Sequence, residues 1–87
     1  MKENYEHELE LYYEAEHELE IHYSNLIKSI RELKKEKELS STKLASLINV
    51  SPTSLSDFLY FRKKIRIGRV ETILHVLEEY TEPKNLA

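Results

Sequence analysis

Ser41-Thr42-Lys43-Leu44-Ala45-Ser46-Leu47-Ile48-Asn49-Val50-Ser51-Pro52-Thr53-Ser54-Leu55-Ser56-Asp57-Phe58-Leu59-Tyr60 has the residue sizes and offsets that two short helices crossing at a tight turn require. Ser40 or Ser41 supplies a side-chain oxygen for the first orphan amides of a helix over Thr42–Ile48. Ala45 is the small residue that lets a second helix cross closely. Asn49 stands where the chain must turn, and asparagine tolerates the left-handed conformation. Ser51-Pro52 is a serine N-cap followed by proline in the first helical position, and it starts a helix to about Tyr60. Leu44, Ile48, Val50, Leu55 and Phe58 form the buried faces, while Ser51, Thr53, Ser54 and Ser56 are short polar residues left outside.

Outward from this stretch, Arg62, Lys63, Lys64 and Arg66 make a basic connection. Gly68 then opens a last helix with the apolar stripe Val70, Ile73, Leu74 and Leu77. That helix frays after Tyr80, Pro83 blocks its extension, and 83–87 reads as a flexible tail. On the other side, Tyr5, Leu9, Tyr12, Glu16, Leu19, Tyr23, Leu26, Ile30 and Leu33 follow one another at alternating steps of four and three, the spacing of a helix seam. The spacing predicts one helix over about 3–38, with Ser24 as an alternative start and a kink at 23–25. Glu6-His7-Glu8-Leu9-Glu10-Leu11 recurs as Glu16-His17-Glu18-Leu19-Glu20-Ile21. Parts of this alternate as a strand would, but no turn residue divides the copies and glutamate is a poor strand former.

The 87 residues hold one glycine, two prolines and no cysteine. Such a chain forms one small helical domain, without disulfides or thiolate metal sites. No run is apolar enough for a membrane span or a secretory signal, and a cytoplasmic protein is expected. The net charge of −3 conceals an asymmetry. Residues 1–22 carry eight glutamates against one lysine, −7, and residues 23–87 carry twelve Lys/Arg against eight Asp/Glu, +4. An acidic segment is therefore joined to a basic domain. His17 and His22 are five apart and off each other's face, so no metal site is expected, nor any cofactor. No nucleophile–base set or phosphate loop is visible, and the chain reads as a non-enzyme.

Residues 26–80 resemble the Cro/repressor-type, or Xre-like, helix-turn-helix family. Leu39-Ser40-Ser41-Thr42-Lys43-Leu44-Ala45 resembles its opening Leu-Thr-Gln-x-x-Leu-Ala. Asn49-Val50-Ser51 resembles its Gly-Val-Ser turn, and Val70-Glu71-Thr72-Ile73-Leu74 its closing Leu-Glu-Thr-Leu-Leu. The resemblance implies a compact bundle of four to five helices, a recognition helix beginning near Ser51, and transcriptional regulation by a dimer on a palindrome. Three positions depart from the family. Ser41 replaces its usual glutamine. Leu59 replaces a glutamate that pairs with a basic residue at the position of Lys34. Tyr60-Phe61 stands where glycine usually leaves the recognition helix.

The expected organisation is an acidic amphipathic helix over 1–23, a DNA-binding domain over 24–82 and the tail. Ser51, Pro52, Thr53, Ser54 and Asp57 are the expected base contacts, Pro52 offering a ring to a thymine methyl and Asp57 accepting from a cytosine amine. Ser41, Lys43, Arg62, Lys63, Lys64 and Arg66 are the expected phosphate contacts, while Lys28, Arg31, Lys34, Lys35 and Lys37 read as mostly solvated. Tyr5, Leu9, Tyr12, Leu19 and Tyr23 are the expected interface. The helix is expected to join two copies, either antiparallel or against the partner's basic domain, and away from DNA. The function expected is a dimeric prokaryotic or phage repressor that reads double-stranded DNA. The alternative is a protein-interaction module or antitoxin whose acidic helix binds another protein.

Overall fold

One unbroken helix, α1 (Lys2–Glu36), carries the chain from its acidic start into the domain. A computed structural model describes residues 2–81, with side chains from Tyr5 onward. Pro83 and the tail over 83–87 lie outside the described residues. Ser24 starts no new helix, and α1 runs through 23–25 without interruption. Three shorter helices follow, α2 (Ser41–Leu47), α3 (Pro52–Leu59) and α4 (Ile67–Glu79). Among the described residues the fold is all-helical, a four-helix bundle with a long N-terminal helix.

The caps follow the side chains closely. Ser40, not Ser41, is the N-cap of α2, its Oγ accepting from the Lys43 amide at 3.0 Å, so the helix starts and ends one residue earlier than its sequence suggests. Ser51 caps α3 by accepting from the Ser54 amide at 3.1 Å, with Pro52 beginning the helix. Both use an oxygen to satisfy a donor that the helix leaves orphaned.

The helix ends share one device. Glu38, Asn49 and Phe61 have φ of 55°, 59° and 63°. After α1, Leu39 donates to the Lys34 carbonyl at 3.0 Å; after α2, Val50 to Ala45 at 2.9 Å; after α3, Arg62 to Asp57 at 2.7 Å. Each is the six-to-one bond of a Schellman motif, whose left-handed residue is usually glycine. The single glycine, Gly68, sits instead at the start of α4 and has no positive φ. Thus Asn49 turns the chain as its residue type predicts, while Glu38 and Phe61 accept a conformation that costs roughly 1–2 kcal/mol for an L-residue.

α1 packs on α3 and α4, and α2 packs on α3. The core is Ile27, Ile30, Leu39, Leu44, Ala45, Leu55, Phe58, Leu59, Val70, Ile73 and Leu77. Ala45 is buried, as the crossing requires, and Ile48, Val50 and Leu74 pack against the core from its edge. Ile27 is fully buried although it lies off the four-three stripe. An ideal helix drifts against a 3.5-residue repeat, so a strict stripe does not mark every buried position. The domain takes up α1 only from Tyr23 onward. The turns before it project, and the molecule measures 72 × 22 × 16 Å along its principal axes.

Candidate nucleic-acid interface

The buried face of α3 fixes the opposite one. Leu55, Phe58 and Leu59 point into the core, which leaves Ser51, Pro52, Thr53 and Ser54 exposed together on the first turn. These side chains are short, so the helix itself can approach another surface closely. The Ser51 hydroxyl is occupied by its cap and also donates to Ser54 Oγ at 3.0 Å. Thr53 and Pro52 carry no such internal duty among the described bonds, and they are the groups best placed to meet a partner.

Asp57 and Arg62 are not independent. Arg62 Nε donates to Asp57 Oδ1 at 3.1 Å, and its guanidinium also donates to Ser56 Oγ at 2.7 Å. The pair lies at the surface, so its contribution to stability is small, about 0.2–1 kcal/mol. Its effect is local: Arg62 folds back along α3, and the Asp57 charge is offset where it would otherwise repel an anion. Asp57 is only half-exposed, so it is a less accessible group than Thr53.

Ser41 and Lys43 are exposed at the start of α2, and Lys63 and Arg66 are exposed in the connection after α3. Lys64 is also exposed but turns toward α1, its ammonium 5.1 Å from the centre of the Tyr23 ring. Tyr23 itself is half-buried, and its hydroxyl accepts from the Ile65 amide at 3.1 Å. Tyr23 therefore anchors the basic connection to α1 within one chain. Of the expected interface residues, Tyr5, Leu9, Tyr12 and Leu19 stand free, 44–66% exposed.

Arg31 reads as mostly solvated in the sequence and Tyr60-Phe61 as an unusual helix exit, and the fold joins the three. The Arg31 guanidinium donates to the Leu59 carbonyl at 2.8 Å, and lies 5.3 Å from the Tyr60 ring centre and 5.7 Å from that of Phe61. It closes the C-terminus of α3, where a cation favourably meets the helix dipole. Leu59 itself enters the core, so Arg31 meets only its backbone carbonyl. No residue-type signal marks Arg31 for this role. Lys37 does the same for α4, donating to the Glu78 and Tyr80 carbonyls at 3.2 and 2.8 Å. Two cations that read as mostly solvated, Arg31 on α1 and Lys37 in the turn after it, thus close helix ends.

An apolar groove between α1 and α4 is lined by Leu26, Leu33, Ile67 and Leu74, with His75 and Glu71 at its rim. Among the described residues no three His, Cys, Asp or Glu side chains group to hold a metal ion. None of the described helices is long and apolar enough to cross a membrane. Comparison with family models, curated proteins and solved structures finds no match to this chain.

Proposed function

We propose that the protein is a sequence-specific double-stranded DNA-binding regulator that acts as a dimer. The observation that carries this reading is the exposed first turn of α3. Short polar side chains there are backed by a buried face, and α2 and the connection after α3 carry exposed basic residues. An α-helix fits the major groove, and short side chains at its N-terminal end let the backbone come near base edges. Thr53 and Ser54 offer hydroxyls, Pro52 offers an apolar ring to a thymine methyl, and Ser51 holds the turn in place. Ser41, Lys43, Lys63 and Arg66 hold phosphates on either side. Arg62 partly neutralises Asp57 and leaves that carboxylate able to accept from a cytosine amine. The resemblance to the Cro/repressor-type family supports the same docking, with α3 as recognition helix.

The acidic half of α1 is excluded from this surface by its charge, since its eight glutamates and a phosphate backbone repel. Its exposed stripe instead joins two copies, so that two recognition helices act on one duplex.

Binding of a labelled duplex is the test. Affinity should fall steeply as salt rises, with a slope of roughly −0.9 for each phosphate neutralised. Sedimentation should give a dimer for the full chain. Absence of duplex binding at low salt overturns the DNA reading. A full-length monomer that still binds DNA overturns only the dimer.

A further inference from the structure

The projecting half of α1 is self-complementary in one orientation. Tyr5, Leu9, Tyr12, Glu16 and Leu19 follow the heptad spacing of a coiled-coil seam, in which residues of the a and d positions meet across two helices. Tyr5, Tyr12 and Leu19 take the d positions; Leu9, Glu16 and Tyr23 take the a positions. In a parallel pair like positions meet, so Glu16 faces Glu16 in the middle of the seam and the acidic flanks run beside one another. In an antiparallel pair each a residue meets a d residue, and Glu16 then meets a tyrosine, leucine or another apolar residue according to register.

Three antiparallel registers are available. One sets Glu16 against Tyr5 and leaves Leu19, the most exposed of the stripe at 66%, uncovered. Another sets Glu16 against Leu19 and directs Tyr5 at Ile30, which is already fully buried in its own domain. The third sets Leu9 against Leu19, Tyr5 against Tyr23 and Glu16 against Tyr12. It covers every exposed position of the stripe and gives the one carboxylate in the seam a phenol hydroxyl to accept from, so a charge need not be buried without a partner.

The foot of the projecting helix suits the arriving end. A shallow hollow there is lined by Glu20, Tyr23, Ser24 and Phe61 with the three cations Arg62, Lys63 and Lys64. In the third register the acidic first turns of a second copy, with Glu6 and Glu8, end beside this hollow, where three cations outnumber Glu20. On the flanks, Ala15 meets Ala15, Tyr13 meets Tyr13, Glu8 lies across from His22, and Glu6 lies across from Glu20, a repulsion that the neighbouring cations of the hollow offset.

We infer that residues 5–19 are an antiparallel docking surface for a second copy of this chain, with Glu16 of each copy hydrogen-bonded to Tyr12 of the other. The inference rests on the dimer of the proposed function and adds its orientation and register. The acidic N-terminal end of one copy is held at the basic foot of the other. The two domains sit at opposite ends of the helix pair.

The chain has no cysteine, so single-cysteine variants carry one spin label per copy. His7→Cys, Glu14→Cys and Ile21→Cys all lie on the outer face of α1, away from the seam. Label-to-label distances in the full-length protein should be shortest at residue 14. They should be longer at both 7 and 21, where the axial offset between copies is roughly 21 Å from a rise of 1.5 Å per residue. Glu16→Gln, which still accepts from a phenol, should preserve this profile, and Glu16→Leu, which cannot, should shift or broaden it; an unchanged profile in Glu16→Leu overturns the Glu16–Tyr12 bond. Equal distances at the three sites mean a parallel pair and overturn the inference while leaving the dimer intact. A minimum away from residue 14 overturns the register. No dipolar coupling, with a monomer in sedimentation, overturns the dimer as well, and duplex binding measured on the same samples then reports on the DNA reading separately.

Discussion

From Tyr23 to Leu33 the apolar stripe of α1 is taken up by the domain, whereas from Tyr5 to Leu19 the same stripe, at the same spacing, stands in the open. The two halves belong to one helix and differ in what surrounds them. The inner half is covered by α3 and α4, and the cations on it and just after it have become structural: Arg31 closes α3, and Lys37, in the turn after α1, closes α4. The outer half has glutamates where the inner half has lysines and arginines, and among the described residues no other element covers it. Periodicity therefore says that a face wants cover and not what provides it. Charge supplies the missing distinction, because the −7 of residues 1–22 bars that half from a polyanion and favours a basic surface.

The largest expected difference between the halves is in folding stability. Ile30→Ala should destabilise the domain by about 2–5 kcal/mol in chemical denaturation, the usual cost of emptying a buried aliphatic site. Leu9→Ala should leave the denaturation midpoint of a dilute sample unchanged and weaken association instead. Equal losses would mean that both halves share one core, and the comparison would break.

Within the domain, Thr53→Ala and Lys63→Ala should fail differently. The first should cost ~1–3 kcal/mol on the preferred duplex only and relax preference at one or two positions. The second should weaken all duplexes alike and reduce the salt slope by about one. Identical binding profiles would argue against α3 as the reading element.

A smaller effect separates structural from solvated cations on α1. Arg31→Ala should cost about 1 kcal/mol, the worth of one charge-assisted bond at a half-buried site, and Lys28→Ala close to nothing. Denaturant midpoints of the two variants decide this.

The smallest effect concerns the left-handed positions. Glu38→Gly should stabilise by about 0.5–1 kcal/mol, since glycine removes the steric cost of positive φ but adds disorder to the unfolded chain. Phe61→Gly should gain less, because the Arg31 contact with the ring is lost. Thermal melts that place Phe61→Gly above Glu38→Gly would show that the ring contact adds nothing.

These positions also mark how far the sequence could be read. The α2–α3 pair was legible because its signals are local: Ser51-Pro52 starts a helix and Asn49 accepts the turn whatever surrounds them. The long α1 was legible from spacing alone. The ends of α1 and α3 were not, because Glu38 and Phe61 carry no residue-type signal for positive φ and are held there by bonds to the preceding turns. Tyr23 read as part of the outer stripe because its spacing is the same; only the fold brings the Ile65 amide to its hydroxyl. Arg62 read as a free phosphate ligand because sequence does not reveal that the chain folds it back onto Asp57 and Ser56. In the candidate site, the exposed first turn of α3 followed from its buried face, and the pairing of charges around it did not.

In the proposed function, the domain reads DNA sequence through the first turn of α3 while the outer half of α1 pairs two such domains. Selection of bound duplexes from a random pool by the full-length protein tests it most directly. A two-fold symmetric sequence should be enriched, with preference lost at one or two positions of each half when Thr53→Ala replaces the parent. Selection that enriches no sequence over the starting pool at low salt would contradict it.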